Sequence, residues 1–216
     1  MRQRKVKNLE TRIDEVRRYF IEDAAACRGR WDQVFGNDHA IFLEIGCGKG
    51  NFILARARAR PERNFVAIEG QLSVVFRALQ KLAETELANA RFACAFVNRP
   101  AELFAEGELT GIYLNFSDPW AKKRHARRRL THRDYLRQYH EILKPGGSLE
   151  IKTDDDALFA FTENEVREAA SGLFQTAARA DDLHRSDFDA KAVTSEYEEK
   201  FRAAGKTIKY LRLVRR

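Results

Sequence analysis

Cysteine is scarce in this chain. Cys27, Cys47 and Cys94 are the three thiols among 216 residues. They form no C-x-x-C pair and have no histidine at zinc-finger spacing, which excludes a disulfide framework and a zinc ribbon. No metal is expected. An odd, sparse set of thiols fits a reducing compartment, so a cytoplasmic location is expected. Long apolar runs are missing too. No stretch reaches the roughly 18 residues a bilayer span needs, and a membrane partner is not expected. The first twenty residues alternate basic and acidic and hold no apolar segment, so they do not read as a secretory signal. Internal repeats and low-complexity linkers are absent.

What is present is positive charge. Lys and Arg number 39 against 32 Asp and Glu, a net charge of +7. That balance favours an anionic partner, nucleic acid or a membrane surface. Hydrophobic residues are 44%, enough for a sizeable core.

From residue 40 onward strands and helices alternate. Segments 40–45, 64–68, 91–97, 111–116 and 148–152 read as strands. Residues 51–60 read as a helix ended by Pro61. Leu72, Val75, Phe76, Leu79 and Leu82 form one helical stripe, and Tyr135, Leu136, Tyr139, Ile142 and Leu143 form another. Residues 144–147, Lys-Pro-Gly-Gly, predict a turn. A further helix is marked by Leu158, Phe159, Thr162 and Val166, and 207–214 has the composition of a closing strand. This alternation predicts an α/β fold with a mostly parallel central sheet and helices on both faces. We expect a basic N-terminal extension, 1–38, packing on one domain, 39–216. The extension is either a solvated segment or an RNA-contacting arm.

The most informative junction is Asn115-Phe116-Ser117-Asp118-Pro119-Trp120. It follows an apolar strand and runs into Lys122-Lys123-Arg124-His125-Ala126-Arg127-Arg128-Arg129. Strand ends are where an open α/β sheet places its chemistry, and a dense basic run beside one suits a polyanion. The same run also has the composition of a solvated helix face. His125 and His132 lack partners at metal spacing and read as solvated.

A second motif, Glu44-Ile45-Gly46-Cys47-Gly48-Lys49-Gly50, links the first strand to a helix. Glycines let the backbone turn tightly and let a ligand approach. The spacing is G-x-G-x-G, neither the dinucleotide G-x-G-x-x-G nor a P-loop. With the preceding acid, it resembles the first motif of the S-adenosylmethionine methyltransferases, which implies a Rossmann-like class I methyltransferase fold. By that resemblance Glu44, Gly46 and Gly48 hold the cofactor S-adenosyl-L-methionine, and Glu69, at the next strand end, bonds its ribose hydroxyls. Asn98 stands near the expected adenine contact, and a plain turn fits it equally well.

The junction at 116–130 narrows the match. Together with 43–50, Lys152-Thr153-Asp154, and Ser195-Glu196-Tyr197-Glu198-Glu199-Lys200-Phe201, it resembles the bacterial tRNA (guanine-N7-)-methyltransferases over almost the whole chain. Two departures stand out: Ala121 where the family has a second proline, and Ser195 where it has threonine. The resemblance implies methylation of guanine N7 in the variable loop of tRNA, by a monomer or homodimer. It makes Asp118 the catalytic and cofactor-contacting carboxylate. Lys122, Asp154, Ser195, Glu196, Tyr197 and Glu198 then contact the substrate, and Lys123, Arg124, Arg127, Arg128 and Arg129 contact the tRNA backbone. Asp154 also sits in an acidic run suited to capping a helix from Ala157. Trp120 is either packed in the core or a stacking platform. The rival functions are an exocyclic-amino nucleic-acid methyltransferase and a non-catalytic RNA-binding module on the same fold.

Overall fold

The computed structural model describes residues 9–216. In chain order the regular elements are α1 (Leu9–Asp14), β1 (Phe20–Ile21), α2 (Trp31–Phe35), β2 (Ala40–Ile45), α3 (Asn51–Ala59), β3 (Arg63–Glu69), α4 (Leu72–Thr85) and β4 (Ala90–Cys94). They continue with β5 (Leu109–Asn115), α5 (Arg133–Ile142), β6 (Leu143–Thr153), α6 (Asp156–Glu165), β7 (Phe174–Ala180), α7 (Glu196–Ala203) and β8 (Lys209–Arg215). The strands form one eight-stranded sheet in the order β1-β4-β3-β2-β5-β6-β8-β7. The first six run parallel, and β8 pairs antiparallel with both β6 and β7.

Both faces of the central strands are buried, so they read as near-continuous apolar runs. On β2, Ile41, Leu43 and Ile45 enter one core with Trp31, Phe104, Leu136 and Tyr139. Phe42, one residue out of phase, enters the other core with Phe52, Phe65, Phe76 and Tyr113. The apolar stripe of α4 lies on this second side and buries Val75, Phe76, Leu79 and Leu82. Described residues before β2 pack on the same sheet, with Ile13, Val16 and Tyr19 entering the second core. Trp31 is fully buried, stacks on Phe104 at 5.2 Å, and donates its indole N–H to the Leu103 carbonyl.

Several elements differ from the sequence expectation. The third main strand stops at Cys94 and does not reach Val97, because its partner β3 ends at Glu69, opposite Cys94. The turn at 144–147 is absorbed into β6, where an irregularity in the pairing with β5 falls between Leu109 and Gly111. Gly146 takes φ of 76° there, so turn and strand coexist. The alanine-rich β7 and the two-residue β1 carry little strand signal and add to the expected set. The basic run forms a 3-10 helix, Lys123–Arg128.

Candidate active site

Four parallel strands end on one edge of the sheet: β2 at Ile45, β3 at Glu69, β5 at Asn115 and β6 at Thr153. Strands β3 and β4 lie to one side of β2, and β5 and β6 to the other. Such a switch point splays the outgoing loops and opens a crevice. Here it is a cleft of about 930 Å³. Gly46, Gly48, Glu69, Asn98, Asp118, Trp120, Arg127, Arg128, Asp154 and Tyr197 all line it.

The glycine turn forms one wall. Gly46, Gly48 and Gly50 take φ of 78°, 55° and 76°, where a side chain is strained. A Cβ on Gly46 or Gly48 would meet nothing within 4 Å, so their backbone is bare. Gly50 is different: a Cβ there would lie 2.9 Å from the Phe92 ring and 3.0 Å from Ala78. Glu69 ties this turn to its own strand end. Its carboxylate accepts from the N–H groups of Gly48 and Gln71, both at 3.2 Å.

Glu44 lies behind the turn and is 2% exposed. Asn115 donates its side-chain N–H to Oε1 at 2.8 Å, while Oε2 has no partner. Burial pushes the Glu44 carboxyl up to about 7, against the Asn115 hydrogen bond and the positive charges of Lys152 and Arg56. A recess of about 30 Å³ joins Glu44 to Gly46, Gly48, Ser195, Glu196 and Tyr197. Lys49 and Glu196 close it with a 2.7 Å ion pair. An unpartnered buried acid oxygen beside bare glycine backbone fits a ligand that brings a cationic N–H donor.

The loop after β5 forms the opposite wall. Asp118 is exposed between Phe116 and Trp120, which take φ of 54° and 42° without being glycine. Trp120 is partly buried at the cleft, edge-on to His125 at 5.6 Å and covered by the Arg128 guanidinium at 4.9 Å. It therefore packs on its own loop and still borders the cleft. Lys122, Lys123 and Arg124 are exposed beyond it, outside the cleft lining. Arg129, expected on the tRNA backbone, turns toward its own loop. Its guanidinium donates to the carbonyls of Pro119 and Trp120, at 2.9 and 3.2 Å.

The third side comes from β6 and α7. Asp155, not Asp154, caps α6, accepting from the Leu158 N–H at 2.7 Å. Asp154 is left at the cleft, paired with Lys206. Ser195 caps α7 through the Glu198 N–H. Tyr197 is exposed and stacks on Phe201, which packs on Phe116. Glu198 was expected among the substrate contacts. It is fully buried, with Lys152 Nζ on Oε2 at 3.0 Å and His184 Nε2 on Oε1 at 2.7 Å, so both oxygens already have partners within the protein. The histidines also differ from expectation. His132 is not solvated; its Nδ1 accepts from the Asp134 N–H and caps α5. His125 is half-buried against Trp120.

Sequence reasoning missed Asn115 as the partner of Glu44, the Lys49–Glu196 pair, and Phe96. Phe96 is exposed on the cleft wall, over Gly70.

A doubly wound sheet, a glycine turn at its switch point and an acid at the next strand end define a class I methyltransferase. The solved structure of the 16S rRNA methyltransferase KamB superposes with a TM-score of 0.64 at 13% identity, over 87% of this chain and 93% of that one. A family described as putative methyltransferase matches residues 38–211. The tRNA (guanine-N(7)-)-methyltransferase of Geobacillus thermodenitrificans is 47% identical over 190 residues, covering 88% of this chain and 86% of that protein. The enzyme of the same description from Bacillus cytotoxicus is 43% identical over 201 residues, covering 91% and 89%. The chain belongs to the family of these tRNA (guanine-N7-)-methyltransferases.

Proposed function

We propose that this protein transfers a methyl group from S-adenosyl-L-methionine to N7 of a guanine in the variable loop of tRNA. One observation carries the reading: the glycine turn with Glu69 and the Asp118 loop with Arg127 and Arg128 face one shared cleft. S-adenosylmethionine would supply an electrophilic methyl group on a sulfonium sulfur.

Glu69 and Asn98 suit the polar edges of the cofactor's nucleoside, a carboxylate accepting two hydroxyl protons at once. The bare backbone of Gly46 and Gly48 and the free oxygen of Glu44 suit its amino-acid end. Guanine N7 has an in-plane lone pair that carries no proton at neutral pH. No side chain therefore has to act as a strong base, and the protein's task is alignment. Methylation leaves the guanine cationic, and Asp118, exposed at the strand end, offsets that charge as it develops. Asp154 and Tyr197, across the cleft, suit the guanine edge and face; Ser195 and Glu196 border the recess beside them. Lys122, Lys123, Arg124, Arg127 and Arg128 provide cations for the RNA backbone.

The test is incubation with methyl-labelled cofactor and unmodified tRNA, followed by digestion and nucleoside analysis. We expect label in 7-methylguanosine, mapped to the variable loop. Label in N6-methyladenosine would replace this reading with an exocyclic-amino methyltransferase. RNA binding with no label would make the protein a non-catalytic module.

A further inference from the structure

The backbone of the Asp118 loop is gripped by the Arg129 guanidinium. Phe116 and Trp120 bracket Asp118 in the left-handed region. Such residues are strained and persist only where their surroundings over-determine them. Ala121 brings no ring to stiffen the chain beyond Trp120. Arg129 supplies the restraint: Nε donates to the Pro119 carbonyl at 2.9 Å and a terminal nitrogen to the Trp120 carbonyl at 3.2 Å. Two donors in one rigid plane fix the orientation of successive peptide groups, which a lysine ammonium cannot do.

The arginine is itself seated. Its guanidinium lies 4.3 Å from the centre of the Phe161 ring on α6. Two and four residues on, the chain is fastened to α6 again. Thr131 bonds Thr162 at 2.8 Å in a buried contact, and Arg133 forms a two-pronged pair with Glu165. Arg129 thus transmits the position of α6 to the strained loop, whereas its neighbours Arg127 and Arg128 stay exposed.

We propose that Arg129 is a positioning residue for methyl transfer. It fixes the loop that presents Asp118 and does not contact RNA phosphate. This rests on Asp118 acting at the reacting centre, as proposed above.

The test compares Arg129→Ala and Arg129→Lys in the full chain with unmodified tRNA and S-adenosylmethionine. Both variants should slow single-turnover methyl transfer about 10- to 100-fold, the range a misplaced catalytic group produces. Their tRNA affinity should stay within about twofold of the parent, with the same salt dependence. Free guanidinium at low millimolar concentration should restore part of the alanine variant's rate, and methylammonium should not. Arg127→Ala should behave oppositely, weakening tRNA binding and lowering the salt slope by about one. A lysine variant that works at the parental rate would overturn the proposal. So would an alanine variant whose defect lies wholly in tRNA affinity and salt slope. If the alanine variant does not fold, the lysine variant decides alone. A second readout is independent of activity: Trp120 fluorescence should change in both variants, while Trp31 stays buried against Phe104. If the parent shows no methyl transfer at all, the functional reading fails, and this spectrum still judges the brace.

Discussion

In the turn after β2, three glycines take up positive φ; in the turn after β5, Phe116 and Trp120 do the same with full side chains. The first turn carries its own conformational licence, because glycine has no Cβ to clash. The second borrows stability from elsewhere. Phe201 packs on Phe116, Arg128 covers the Trp120 ring, and Arg129 grips the two carbonyls. Local sequence therefore specifies the proposed cofactor wall, and tertiary contacts specify the proposed acceptor wall. The acceptor wall should accordingly fail through distant substitutions and the cofactor wall through substitutions within it.

The largest expected effect comes from Glu198→Ala, in the buried first turn of α7. Lys152 would be left as a buried charge without its carboxylate, a loss of about 3–5 kcal/mol of stability by chemical denaturation. A change below 1 kcal/mol would mean that the α7 support is dispensable. Next comes Asp118→Ala, which removes chemistry and leaves structure. The rate of methyl transfer should fall about 10²- to 10³-fold, while stability stays within about 0.5 kcal/mol, because the side chain is exposed. An unchanged rate would remove Asp118 from the reaction.

Glu44 sharpens the cofactor side through pH. Its carboxyl sits at about 7 in the folded protein against 4.5 ordinarily. Below 4.5 both states hold the proton. Between the two values only the folded state keeps it, so stability without cofactor should fall as pH rises. The loss should be complete above pH 7, at about 3 kcal/mol. In Glu44→Gln this slope should vanish; a persistent slope would assign it to another group. The smallest effect expected is that of Gly50→Ala. Left-handed strain and the contacts with Phe92 and Ala78 should cost about 2 kcal/mol. A neutral result would undo the local account of the glycine turn.

The same contrast explains what the sequence revealed. Gly46, Gly48, Gly50 and Glu69 were legible because their geometry comes from residue type and short spacing. The central strands were legible because burial on both faces leaves continuous apolar runs. Asp118 was legible as a strand-end acid, and its loop as a family motif. The role of Glu198 was not, since nothing nearby in sequence announces that Lys152 and His184 meet it. Arg129 reads like its neighbours in a basic run; only the fold separates a guanidinium bonded to carbonyls from one left in solvent. Strand β7 escaped notice because its alanines carry almost no strand preference, and pairing with β8 makes the difference.

The margins of the sheet hold a last consequence. One flank ends in the two-residue β1, and the other in β7, whose pairing with β8 is irregular near Thr176 and which carries the ion-paired Arg179. Neither flank presents a long, flat, apolar ladder to an incoming peptide. Copies crowded together on a polyanion are thus kept from stitching their sheets into a common fibre.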